Sequence, residues 1–170
     1  LTGILYPIEM GWQWGGGWLA SLGFSDFAGS TLVHAAGGAA ALAGAIVLGP
    51  RVGRFSGKQL VPFANSSIPL ATIGVFILWL GWFGFNGGSQ LAIGTFDDAT
   101  AVAKIFINTN LAAAGGVMTC AIITRMIGGK TDVVQMLNGA LGGLVAITAE
   151  PLAPVPFVAI IIGAIGGAIV

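Results

Sequence analysis

Residues 27–48 read FAGSTLVHAAGGAAALAGAIVL, an almost wholly apolar run whose single ionisable side chain is His34. A helix crossing a hydrocarbon core of about 30 Å needs about 20 mainly apolar residues at a rise of about 1.5 Å each, and this run supplies them. Residues 69–89 and 104–127 meet the same requirement. Residues 133–149 stand near its short limit, 155–170 are still apolar where they stop, and 1–13 read as the last turns of another helix. Only 7% of residues are charged and mean hydropathy is +0.96, whereas about 25% of a soluble domain is charged. These features predict an all-α, polytopic transmembrane helix bundle, with residues 1–170 forming one partial transmembrane domain. The lipid bilayer is its first expected partner. The opening residues show no basic segment and no cleavage site, so the chain is expected to be an internal piece of a longer protein.

The placement of charge predicts an orientation, because Lys and Arg in short connections favour the cytoplasmic side. Arg51, Arg54 and Lys58 share one connection, and Arg125 and Lys130 fall at the next but one. Asp26, then Asp97 and Asp98, then Glu150 mark the connections between them. Residues 14–26, 89–102 and 150–154 are therefore expected outside, and 49–68 and 128–132 inside. Lys104 departs from the pattern and is expected to snorkel from a helix end. The 29 glycines cluster within the spans, as in HAAGGAAALAGA and NGALGGL. Small residues there let helix backbones approach closely, which predicts a tightly packed bundle.

Several function classes are excluded on the same grounds. Six scattered basic residues and zero net charge form no stripe for neutralising phosphates, so nucleic acid is not an expected partner. One His, one Cys and no carboxylate cluster within the spans leave no set of metal ligands, and no cofactor is expected. Cys120 is expected as a packing residue. The glycines of GGGW and GGKTD lack the spacing of a phosphate loop. A Ser/His hydrolase built on Ser66 or Ser67 is disfavoured by their distance in depth from His34, so no catalytic residue and no enzyme are expected.

Three constellations remain. His34 lies eight residues beyond Asp26, about 12 Å down a regular α-helix and close to mid-bilayer. Ionisable groups at that depth are costly and usually face a cavity or pathway. The surrounding face, with Phe27, Thr31, Gly38 and Ala41, is small or apolar, which favours a hydrogen-bonding neutral imidazole over a fixed charge. Asp26 is placed to cap the following helix and complement its dipole, and its charge equally suits a nearby vestibule for a cation. In ILWLGWFGFNGGS, Leu78, Trp82, Phe85 and Ser89 recur at helical spacing with the hydroxyl outermost. Trp14 ends the first segment on the same side. Aromatics at that depth ordinarily form an interface belt. The alternative is a convergence of Trp14, Phe85 and Ser89 on a small cation, with a cation–π contact contributing about 0.5 to 2 kcal/mol.

DFAGSTLVH resembles the Asp-Phe-Ala-Gly…His signature of the ammonium transporter (Amt/Mep/Rh) family, and GWFGFNGGS resembles that family's motif in the next span. WGGGWL upstream and NGALGGLVAITA downstream are similar as well, so the resemblance covers essentially the whole chain. It implies about the fourth to ninth spans of an eleven-span fold, in a multi-pass protein of the cell (inner or plasma) membrane. It implies ammonium or ammonia as substrate, a homotrimer with one pore per subunit, and a cytoplasmic regulatory protein as a partner. By matching position, Trp14, Phe85 and Ser89 correspond to an outer recruitment site, Phe85 also to a gate, and His34 to the first of two pore histidines. Trp82 corresponds to a pore-lining tryptophan and Asp26 to the acidic residue beside the vestibule. The second histidine and second gate phenylalanine belong to spans outside this chain. Ser30 stands where the family commonly has Gly. An ammonium sensor, a Rh-like ammonia channel and a packing unit without a substrate path are the alternative readings.

Overall fold

The computed structural model describes residues 1–57 and 59–170; Lys58, grouped above with Arg51 and Arg54, lies outside the described residues. Helix α1 (Leu5–Gln13) and the single turn α2 (Trp18–Ser21) precede a π-helical segment, Ser30–Ala35, that continues directly into α3 (Ala36–Leu48). A two-stranded hairpin, β1 (Phe55–Ser56) against β2 (Gln59–Leu60), lies in the connection to α4 (Ile68–Gly88). Helices α5 (Phe96–Gly128), α6 (Val133–Ile147) and α7 (Pro156–Ile169) complete the chain. Ser30–Leu48, α4 and α5 are each long and apolar enough to cross a membrane, and α6 and α7 are shorter apolar helices.

Local chemistry sets the boundaries. Ser67 caps α4, its hydroxyl accepting from Leu70 N–H at 3.3 Å, so this serine is occupied at the helix end. Thr95 and Asp98 form a reciprocal capping box that starts α5 at Phe96, eight residues before the expected span at 104. Such a box satisfies two otherwise orphaned N–H donors. Asp97 and Asp98 consequently stand in the first turn of α5 rather than in a loop, where their charge complements the helix dipole. At 33 residues α5 is about 50 Å long. Lys104 stands eight residues inside α5 rather than at its end.

Packing is densest among α5, α6 and α7. A Cβ added at Gly163 would collide with the Ala112 carbonyl, and one at Gly116 with the Gly139 carbonyl. These backbones touch because no side chain separates them, which is how helices associate where lipid removes the hydrophobic drive. Cys120 is buried in this block, its thiol 3.0 Å from the Gly167 carbonyl. Asn108 of α5 reaches the far end of α6, its amide donating to the carbonyls of Pro151 and Pro154 at 2.8 Å each. It thereby fixes the turn that leads into α7.

Candidate functional site

The site is assembled where the N-terminal segments meet α4 and the end of α6. At the end of α1, Gln13 Nε2 donates to Phe24 O and Trp14 Nε1 donates to Asp26 O, both at 2.7 Å. These bonds hold the chain entering the His34 segment against α1. Asp26 is buried, and its carboxylate accepts four backbone N–H groups: Gly29 and Ser30 on Oδ1, Thr31 and Leu32 on Oδ2, at 2.8 to 3.0 Å. A buried carboxylate is tolerated when it is hydrogen-bonded in this way. Gly29 adopts φ +105, and a Cβ there would approach Val33 Cγ2 to 2.5 Å, so the turn admits only glycine.

His34 does not sit on a regular α-helix running from residue 27. Residues 27–29 are non-helical, and the helix begins at Ser30 as a π-helical stretch in which His34 N bonds to Gly29 O at 3.0 Å. Phe27 therefore does not share a helical face with His34, and the depth of about 12 Å, which assumed a regular α-helix from Asp26, is corrected accordingly. The π stretch, a device recurrent at functional sites, re-aims the imidazole. His34 stacks on Trp82 with centroids 4.9 Å apart and an interplanar angle of 20°. Phe85 closes the cluster, 5.4 Å from His34 and 5.7 Å from Trp82. His34 Nε2 is buried with no hydrogen-bond partner among the described residues.

Of the sequence-derived positions, His34, Trp82 and Phe85 are thus brought into one cluster. Trp14 and Asp26 are joined to each other by the bond at 2.7 Å. Ser89 lies one turn beyond Phe85, its hydroxyl donating to Phe85 O at 2.8 Å, which leaves the oxygen available as an acceptor. Along the same stripe of α4, Trp82 is 7% exposed, Phe85 37% and Leu78 47%. Trp82 lies about 20 Å up α4 from its capped start by helical rise, which separates Ser67 from His34. Next to the cluster is a cavity of about 250 Å³ lined by Tyr6, Glu9, Val33, Ala36, Gly37 and Phe85, among others. Among the described residues no group of three His, Cys, Asp or Glu side chains could hold a metal ion.

Sequence reading overlooked Thr148, which accepts the Trp82 indole N–H at 2.9 Å, and the buried amides Asn86 and Asn108. Their signal was a polar side chain inside an apolar run, where each must find a partner.

Apolar helices of spanning length that bring the buried Trp82 against His34 and Phe85 define a polytopic membrane protein of the helix-bundle class. The model of the Ammonium Transporter Family matches residues 1–170, and the chain belongs to that family. It is 44% identical to the ammonium transporter Amt2 of Archaeoglobus fulgidus over 180 residues, covering 98% of this chain and 37% of that protein. It is 41% identical to the ammonium transporter of Bacillus subtilis over 166 residues, covering 98% and 38%. Among solved structures, one described as a sensor Amt protein superposes with a TM-score of 0.91 at 39% identity, over 98% of this chain and 42% of that one. The Mep2 structure from Candida albicans gives a TM-score of 0.85 at 36% identity, over 96% and 35%. The chain therefore spans about two fifths of the length of the relatives it matches, and it shares their polytopic helical fold.

Proposed function

We propose that this chain supplies the outer recruitment site and one wall of the pore of an ammonium transporter in the cell membrane. The observation that carries the reading is the stack of His34 on Trp82 beside Phe85, with His34 Nε2 buried and unpartnered among the described residues. A buried polar atom without a partner is costly, and a passing hydrogen-bonding molecule relieves that cost. A bare ammonium ion pays heavily for desolvation in such surroundings, whereas neutral ammonia does not. Trp14 and Phe85 offer ring faces to the cation, and the Ser89 hydroxyl, its own proton committed to Phe85 O, accepts from it. Deprotonation there lets ammonia pass Phe85, and His34 hydrogen-bonds it beyond and takes up and relays the released proton. The carboxylate of Asp26 builds this site by fixing the turn before His34, and its charge favours a cation nearby. The whole protein acts by transport and is assigned no catalytic residue. It is read as a homotrimer with one pore per subunit, open to control by a cytoplasmic regulatory protein.

The transporter names of the two relatives above favour transport over sensing, although the sensor Amt structure has the same fold. The test uses the full-length protein in a strain lacking ammonium uptake. Trp14→Leu and Phe85→Ala are expected to abolish growth on low ammonium while the protein accumulates normally in the membrane. Unchanged growth with lowered stability would reduce both residues to packing.

A further inference from the structure

We propose that Thr148 is a positioning residue that locks the Trp82 ring against His34; the inference rests on the transport reading of that pair. Thr148 is fully buried, and its hydroxyl donates to Leu144 O at 2.6 Å. With its one proton committed there, the oxygen can only accept toward Trp82, whose indole N–H is a donor alone. The 2.9 Å bond from Trp82 Nε1 therefore has a fixed direction. Rotating the indole away breaks it and strands a buried donor where lipid offers no replacement. Trp79, one turn earlier on α4, provides an internal contrast. It packs against the same cluster of Trp82, Ala113 and Leu144, yet its Nε1 is buried without a partner among the described residues.

The same residue also fixes the other half of the stack. The Thr148 carbonyl accepts from Ala28 N–H at 3.1 Å, and the adjacent Ala149 carbonyl accepts from Phe27 N–H at 2.7 Å. Ser30 adds a hydroxyl bond to Val145 O at 2.9 Å. The end of α6 thus holds the chain that starts the His34 segment through its backbone, and it holds Trp82 through one side chain. Only the second of these links depends on the hydroxyl, so it can be removed separately.

The experiment places Thr148→Val and Thr148→Ser in the full-length protein, each with native Trp82 and with Trp82→Phe, and measures methylammonium uptake per unit of protein in the membrane. Valine keeps the shape and removes the acceptor, while serine keeps the acceptor. Thr148→Val is expected to lower maximal uptake on the order of tenfold, as stranding one buried donor implies. Thr148→Ser should retain at least about half of native uptake. On the Trp82→Phe background Thr148→Val should cause no further loss, because the bond is already absent. Trp79→Phe should leave uptake unchanged. An equal loss from Thr148→Val on both backgrounds, or no loss on the native one, would overturn the proposal. The hydrogen-bond-sensitive indole N–H band of Trp82 in ultraviolet resonance Raman, assigned by difference from Trp82→Phe, gives a separate readout. If Trp82→Phe and His34→Ala both transport normally, the transport reading fails. The positioning inference then stands or falls on whether Thr148→Val shifts that band and Thr148→Ser does not.

Discussion

The α5–α6–α7 block and the layer formed by α1, the His34 segment and α4 are built on opposite principles. In the block, backbones touch directly at Gly163 against Ala112 and Gly116 against Gly139, and α5 buries residues from Ile105 to Cys120. In the layer, α3 buries none of its residues, and a Cβ at Gly38 or Gly44 would meet nothing within 4 Å. The block is closed upon itself. The layer carries His34 and Phe85. Precise placement of a few side chains there comes from hydrogen bonds to the block, through Thr148 and Val145, rather than from dense packing of the layer itself.

That contrast is most directly broken by glycine replacement. Gly163→Val is expected to destabilise by more than about 3 kcal/mol, since two touching backbones cannot yield to a branched side chain. Gly38→Val in α3 should change stability by less than about 1 kcal/mol. Thermal unfolding of the detergent-purified full-length protein compares them, and similar losses would remove the distinction between the two regions. Asp26→Ala strips four amides of their acceptor and is expected to cost about 2 kcal/mol or more. Asp26→Asn should recover less than half of that, because its NH2 faces two N–H donors. Full recovery by Asn would show that the carboxylate has no special part in the turn. Ser30→Gly, which removes the bond to Val145 O, should cost about 0.6 kcal/mol by the same measurement. A loss several times larger would mean that this one bond docks the two regions.

The two regions also differ in how far the sequence disclosed them. Apolar runs located the spanning helices, and clustered glycines foretold the close approach of the block, because both follow from periodicity and side-chain size; the same expectation for HAAGGAAALAGA is corrected, since among the described residues nothing approaches Gly37, Gly38 or Gly44. The eight residues of α5 before the apolar run at 104 were not legible as helix, because Asp97 and Asp98 read as loop charge while standing in the first turn beyond a capping box. The π-helical stretch was not legible at all. It arises from the Asp26 carboxylate gathering amides of residues 29–32 together with the positive φ of Gly29, and no periodicity in FAGSTLVH marks it. The resemblance identified His34, Trp82 and Phe85 one by one, and the structure brings them into one cluster. Thr148 went unnoticed because its partner lies 66 residues away, a distance across which neither spacing nor composition carries information.

The claim that the layer carries transport while the block carries the fold turns on His34. Methylammonium uptake by the full-length protein with His34→Ala, measured together with the accompanying proton movement and with thermal stability, separates these roles. Transport or its proton coupling should change by at least about tenfold while the unfolding temperature moves by only a few degrees. Native uptake and coupling in a protein lacking this imidazole would contradict the assignment of His34 to the pore.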